Sequence, residues 1–534
     1  MKRLIASLPQ FGFLAILLIS AMPASGQTPG PEQEHLGKVY FPTSCSSEVQ
    51  PTLEKGLALL HSFQYQEARQ TFAEAETRDR TCAMANWGVA MTLYQQLWDF
   101  PDAAKLKEGY KEIEQARKLH AKSPREQGFL KAAGVFYQKN SKLSHTERAK
   151  AYSAALEKFR AKVPGDVEID SFYALSLVSL AEEEDVDTMA NLQKAISVLN
   201  PLFEKYPDHP GVAHYLIHAA DKPGLAPQGL AAARRYAAIA PDSPHALHMP
   251  SHIFVRLGLW QDSIASNIAS SASAARAAEM HKAESHYQTH AMDFLNYSYL
   301  QSGQEAKARE VIEHMNHVVG ASEEDKVDHR AYLAARTALE LHRWKDAASL
   351  AIPDVRKDQQ DTTHWARAIG AARSGDVAAA ESAVKELTKS VAERENRARK
   401  SGYDVSAEKA TDLREAKAWL AFAQGKTDQA QEELRAAVEH QEKNGGESVI
   451  MPAREMLADM LMELKRPSDA LNEYKVVLKN APNRFDALLG AGRAAQASGD
   501  TGGAQTFFAK LTEVCPAGAD RPELAEARTV LARQ

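Results

Sequence analysis

The sequence predicts an all-α fold in which helix hairpins stack into a solenoid. The first observation is a 34-residue interval: PDHPGVAHYLIH, which begins at Pro207, recurs as PDSPHALHMPSH, which begins at Pro241. The second is that the same interval relates residues 451–482 to residues 485–516, where small and aromatic residues recur in register. A period in the thirties indicates repeated helix pairs that bury their apolar faces against one another.

The repeated positions follow a simple steric rule. Ala458 recurs as Gly492, and Tyr474 recurs as Phe508, so that a small residue on one helix faces an aromatic residue on the next. The N-terminal part of the array carries the same pattern at Gly56, Tyr65, Ala68, Phe72 and Ala75. This pattern resembles the tetratricopeptide repeat (TPR), and the resemblance covers most of residues 49–516. It implies a TPR-type α-solenoid superhelix that binds partners along its concave groove.

A narrower resemblance rests on five segments in order: FPTSC, GLALLHSFQYQEA, CAMANWGVAM, HPGVAHYLIH and PHALHMPSHIFVRLGLW. Together they are similar to a family of exported bacterial TPR proteins. That resemblance implies the fold and export, and it implies no particular reaction.

The N-terminus has the pattern of an export signal. Lys2 and Arg3 precede the apolar run FGFLAILLISAM, and small residues follow it before Gln27. We therefore predict a signal peptide over residues 1–26, an extended segment over 27–48, a TPR-like array with a histidine-rich groove over 49–320 and a C-terminal TPR array over 321–534. The mature protein is expected in the periplasm or outside the cell, with no transmembrane helix after cleavage.

Charge and cysteine content narrow the partners and the compartment. The net charge is −6, and the chain has no long basic run, which argues against nucleic acid as a partner because phosphate binding needs clustered Lys and Arg. Of the three cysteines, Cys45 and Cys82 are close enough in sequence to form a disulfide in an oxidising compartment, and independent thiols are the alternative. Cys515 would then remain unpaired.

The histidines carry the candidate site. In the TPR register, His214 and His218 take equivalent positions to His248 and His252 one repeat later, on the helix face that lines the groove in TPR proteins. Residues four apart share one helix face, so the interval predicts that the two pairs lie side by side. Pro250, between the second pair, predicts a bent or late-starting helix. The full predicted groove comprises His214, His218, His245, His248, His252, Arg256, His286, His290, Asp293 and Tyr297.

Three interpretations of these histidines stay open. They bind a metal, zinc or copper, through His214, His218, His248 and His252; they form a polar groove for a peptide, protein or small ligand; or they are structural histidines between helices. The sequence lacks the HExxH, GxSxG and P-loop motifs, so it favours a binding or scaffolding protein over an enzyme. A metal hydrolase would need Asp221 or Asp293 as a carboxylate beside His214, His218 and His248.

Overall fold

The structure is a computed structural model that describes residues 34–97, 100–119, 121–138, 142–181, 187–280, 285–401, 407–443 and 451–532. The predicted signal peptide over residues 1–26 lies outside these ranges. His35–Gln534 form one compact unit. Within the described ranges the regular structure is helical, with no β-strand, and no helix there is long and apolar enough to cross a membrane.

Residues 34–49 precede the first helix and contain no regular secondary structure. The helices of the first half are α1 (Gln50–His61), α2 (Tyr65–Arg78), α3 (Ala83–Leu93), α4 (Ala103–Lys118), α5 (Pro124–Phe136), α6 (His145–Arg160), α7 (Val167–Ala181), α8 (Thr188–Lys205), α9 (Pro210–Ala220), α10 (Ala226–Ile239), α11 (Pro244–His248), α12 (Pro250–Arg256) and α13 (Trp260–Glu279).

Those of the second half are α14 (His286–Gln301), α15 (Glu305–His314), α16 (Glu323–Glu340), α17 (Trp344–Ala348), α18 (Asp361–Arg373), α19 (Val377–Ser401), α20 (Ala407–Ala423), α21 (Thr427–Lys443), α22 (Ala453–Glu463), α23 (Pro467–Asn480), α24 (Phe485–Ala497), α25 (Thr501–Val514) and α26 (Leu524–Ala532). Consecutive helices pack against each other, and helices two apart, such as α1 and α3 or α18 and α20, also touch. The TPR-type solenoid predicted from the 34-residue interval is therefore the observed fold.

The repeated small and aromatic residues make the contacts between hairpins. Phe72 of α2 is fully buried between α1 and α3. A Cβ atom added to Gly56 or Gly88 would lie 2.9 Å or 2.3 Å from its ring. Tyr474 and Phe508 occupy the same place in the C-terminal repeats, where they face Gly490 and Gly492. Close packing of an aromatic ring against glycine thus sets the helix spacing in both halves.

The C-terminal repeats return to contact the middle of the chain. The indole N–H of Trp260 donates to the carbonyl of Asn483 at 2.9 Å, and the Asn483 amide donates to the carbonyl of Gly258 at 3.1 Å. The carboxylate of Asp520 accepts hydrogen bonds from the backbone N–H groups of Glu305 and Ala306, the first two residues of α15. The helices that follow the histidine repeats therefore contact the C-terminal repeats as well as their own neighbours in sequence.

A disulfide joins Cys45 to Cys82, with their Cα atoms 4.8 Å apart. It attaches the segment before α1 to the start of α3. Asp79 lies beside the two sulfurs. Because both sulfurs are bonded to each other, this group offers no thiolate to a metal. Cys515 is buried and unpaired with another cysteine.

Candidate metal centre in the histidine repeats

The helices that carry the histidines begin at prolines. Pro210 opens α9, and Pro244 opens α11, each after a residue whose side chain caps the helix: the Val212 N–H donates to His209, and the Ala246 N–H donates to Ser243. Proline is favoured at this position because its missing N–H has no partner there in any case. The helix of the second repeat is interrupted at Met249, and α12 starts at Pro250, as the position of that proline predicted.

One triad consists of His214, His218 and His245. The Nε2 atom of His214 lies 3.0 Å from Nε2 of His245 and 3.1 Å from Nε2 of His218. The Nδ1–H of His214 donates to the backbone carbonyl of His61 at 2.6 Å. His214 and His245 are buried and His218 is half-buried. One ligand nitrogen from each side chain falls within 4.8 Å of the others.

A second triad consists of His248, His252 and His290, again with its ligand nitrogens within 4.8 Å. Nε2 of His248 and Nε2 of His252 are 3.0 Å apart. The ring of His290 lies 4.5 Å from that of His248, centroid to centroid, and its side chain is exposed at the open edge of the group. The two triads adjoin, since the rings of His245 and His248 are 6.3 Å apart.

The hydrogen bonds at the opposite ring nitrogens decide where the protons are. His248 Nδ1 lies 2.7 Å from Oδ1 of Asn267, whose amide nitrogen already donates to the Ser263 carbonyl, so the histidine is the donor. His252 Nδ1 lies 2.8 Å from a carboxylate oxygen of Asp221, which is an acceptor only. Each neutral imidazole carries one N–H. Both Nε2 atoms therefore present lone pairs to each other across 3.0 Å, with no hydrogen between them.

Protonation of His248 does not relieve this contact at neutral pH. Burial lowers the pKa of His248 well below its ordinary value, and repulsion from the neighbouring imidazoles lowers it further. Burial likewise lowers the pKa of His214 to about 3. Neutral imidazole is the form that binds metal ions. Two zinc-bound nitrogens with bonds of about 2.0–2.1 Å lie roughly 3.3–3.4 Å apart, so the observed Nε2 spacing is close to that of ligands sharing one ion.

A phenylalanine ring packs against the imidazoles of each triad. Phe63 lies 4.3 Å from the ring of His214 and 5.7 Å from the rings of His218 and His245. Phe294 lies 4.6 Å from the ring of His252 and 4.8 Å from that of His248. These contacts fix the ring orientations and keep other polar ligands away from these faces.

A third group, His61, Glu168 and His209, has the donor types of a metal site but is complete without a metal. Both histidines donate Nε2–H to Glu168, at 2.8 and 3.1 Å. His61 Nδ1 accepts the Tyr215 hydroxyl at 2.8 Å, and His209 Nδ1 accepts a backbone N–H. Although burial alone would raise it, the pKa of Glu168 falls well below its ordinary range because His209 and His61 stabilise the carboxylate. We interpret this group as a structural network that holds the His61 carbonyl against the first triad.

The structure arranges the predicted residues differently from the sequence-based expectation. The four histidines expected to share one metal are divided between two triads, completed by His245 and His290. Asp221, considered as a direct ligand, instead accepts from His252 Nδ1 and from Arg256 Nε, each at 2.8 Å. His214, His245 and His248 are buried rather than displayed in an open groove.

The remaining predicted groove residues do not join the triads as ligands. Asp293 pairs with Arg336. The Tyr297 hydroxyl is buried against Arg484 at 2.9 Å, and the exposed His286 ring lies against Tyr287. Sequence reasoning missed His61, Asn267 and the two phenylalanines, whose roles depend on contacts between distant parts of the chain.

Comparisons with known proteins give no functional assignment. No protein-family model matches the chain, and no curated protein matches it. Among solved structures, a human IFIT1 dimer with PPP-AAAA is 12% identical at a TM-score of 0.37, covering 85% of this chain and 94% of that one. Yeast Tom70 is 11% identical at a TM-score of 0.34, covering 91% and 96%. These similarities are too weak to carry an argument about the site.

Proposed function

We propose that this protein binds transition-metal ions, zinc or copper, with one ion in each histidine triad. The observation that carries the proposal is the His248–His252 contact, where two lone pairs face each other at 3.0 Å and both Nδ1–H groups are committed elsewhere. A cation between them converts a repulsion into two coordinate bonds. In the first triad the His61 carbonyl holds His214 with its Nε2 lone pair toward the Nε2 atoms of two further imidazoles, at 3.0 and 3.1 Å.

The hydrogen-bond acceptors at the Nδ1 atoms of these histidines are also of the kind that metal-bound histidine requires. Ligating histidines usually donate their other N–H to a carboxylate, carbonyl or amide oxygen, which orients the ring and raises its basicity. His214, His248 and His252 find a backbone carbonyl, an asparagine and an aspartate in this role. Six imidazoles without a thiolate suit zinc or copper better than calcium or magnesium, which prefer oxygen.

The sequence also favoured a groove for a peptide or protein ligand. Burial of His214, His245 and His248 makes these side chains inaccessible to a macromolecule, so the metal interpretation has the stronger support. We retain the proposal that the protein is exported. The Cys45–Cys82 disulfide supports it, because such bonds persist in oxidising compartments.

Metal titration of the purified full chain tests this function. After removal of metal with a chelator, we expect zinc or copper to bind with a stoichiometry of two ions per chain in calorimetry and elemental analysis. His218→Ala and His252→Ala remove one half-buried ligand from each triad, so each should bind one ion tightly, and the double variant none. His317→Ala, an exposed histidine on the segment after α15, is the matched control.

Circular dichroism separates loss of ligands from loss of fold. The variants should keep the wild-type helical spectrum, since the replaced side chains are half-buried. Wild-type protein that takes up neither metal, or ligand variants that bind as many ions as the control, would contradict the proposal.

A further inference from the structure

The two triads are close enough for ions bound in them to interact electrostatically. They stand on successive repeats, and their rings approach along two lines: His245 to His248, and His218 to His252, each with 6.3 Å between centroids. Among the described residues, neither triad includes a carboxylate or a thiolate as a member. Ions in both triads would therefore be separated by imidazole rings and not by a neutralising side chain.

The charges around the triads do not balance divalent ions. An imidazole that binds a metal ion is neutral and adds no negative charge, and Asp221, the carboxylate bound to His252, already forms an ion pair with Arg256 at 2.8 Å. Two divalent ions would bring four positive charges into this largely buried group, and two monovalent ions would bring two. At a given separation, divalent ions also repel each other about four times as strongly as monovalent ions. Burial of uncompensated charge is costly, so this environment favours the monovalent ion.

The number of protein ligands in each triad also favours a monovalent ion. Each triad offers three nitrogens, and Phe63 and Phe294 cover part of the space beside them. Zinc usually completes a tetrahedron, so it would need a fourth ligand besides the three imidazoles. Monovalent copper is commonly held by only two or three ligands. Copper also suits imidazole.

From these observations we infer that the two triads together hold a pair of Cu(I) ions. This inference rests on the proposed function and adds the metal, its oxidation state and the pairing. It predicts that the affinity of the site for Cu(I) relative to Zn²⁺ is set by the absence of negative charge among the ligands.

An anaerobic competition titration tests the inference. Cu(I) is added to the metal-free full chain with bicinchoninate as the competing chromogenic ligand, and Zn²⁺ is present in excess. We expect two Cu(I) ions to bind per chain and zinc to displace neither. X-ray absorption at the copper edge should show Cu(I) with nitrogen ligands at each site.

His290 provides the matched pair of variants, because it is the exposed ligand at the open edge of the second triad. His290→Asp places one negative charge beside the ions, and His290→Asn removes the imidazole without adding charge. The ratio of Cu(I) to Zn²⁺ affinity at the second triad should fall by about tenfold or more in the aspartate variant relative to the asparagine variant.

The outcomes separate the two claims. Failure to bind either metal would remove the proposed function and this inference together. Zinc bound in preference to Cu(I), a single Cu(I) per chain, or equal affinity ratios in the two His290 variants would overturn the inference alone.

Discussion

At the residue scale, Asp221 orients one ligand of the proposed site without touching the metal position. It accepts the Nδ1–H of His252 and the Nε–H of Arg256, each at 2.8 Å. Arg256 and His252 hold the pKa of this carboxyl well below its usual range in spite of its burial. Asp221 is therefore ionised at neutral pH, and it makes His252 a stronger electron donor toward a cation.

Asp221→Asn tests this role. The amide keeps the size of the side chain but removes its charge, so metal affinity at the second triad should fall about 10–100-fold, while the first triad is unchanged. A chelator competition that resolves the two binding steps measures the effect. Asp208→Asn, at a half-exposed carboxylate paired with Arg235, is the control. Equal affinities for the two variants would remove Asp221 from the site.

The sequence predicted part of this site. The four-residue spacing and the 34-residue interval predicted that His214, His218, His248 and His252 lie near one another; in the structure Nε2 atoms within each pair are 3.0–3.1 Å apart, and the rings of His218 and His252 are 6.3 Å apart. They did not predict which imidazoles share a triad, because His245 turns toward His214 of the preceding repeat rather than toward the nearby His248 triad. The proton positions depend on the His61 carbonyl, 153 residues from His214, and no local pattern reports such a contact.

At the element scale, the fold was predictable because each hairpin repeats one steric relation. A helix pair whose small residues face an aromatic ring packs in one way, and the residues that define it lie within a single repeat. The break at Met249 was also predictable, since Pro250 lacks the N–H that would continue the helix.

Gly88→Ala tests that steric relation. The added Cβ would lie 2.3 Å from the ring of the fully buried Phe72, so the ring or the helix has to move. Unfolding free energy should fall by about 1–3 kcal/mol, as for other overpacked cores. Gly502→Ala, in the first turn of α25 with no atom within 4 Å of the new Cβ, should instead raise stability by about 0.4–1 kcal/mol. Urea denaturation measures both, and equal effects would contradict the packing argument.

At the scale of the whole molecule, a buried charge network joins distant repeats. Arg484 donates to both Glu340 and Glu455 at 2.7–2.9 Å and to the Tyr297 hydroxyl, and all four side chains are buried. Glu340 is 144 residues from Arg484 in sequence. Repeat patterns report contacts between neighbouring hairpins only, so the return of the C-terminal repeats to this position was not predictable from them.

The network makes stability depend on pH in a defined direction. Burial raises the pKa of Glu455 from its ordinary value of 4.5 to about 8, and repulsion from Asp486 and Glu340 adds to this although Arg484 opposes it. Between these two values the folded state keeps a proton that the unfolded state has lost. Protonated Glu455 therefore makes its full contribution to the free energy of unfolding below pH 4.5. That contribution is lost as the pH rises through this range toward 8.

Glu455→Gln should remove this dependence. The glutamine cannot ionise, so the loss of stability between pH 5 and 8 should become shallower, by an amount on the order of 1 kcal/mol per pH unit. Urea denaturation at several pH values in this window measures the slope for each protein. Glu513→Gln, at an exposed carboxylate paired with Lys510, should leave the slope at its wild-type value. Arg484 still pairs with Glu340 in the Glu455→Gln variant, so its fold is maintained. Parallel pH profiles for the wild type and the Glu455→Gln variant would show that Glu455 is ionised in the folded protein throughout this range.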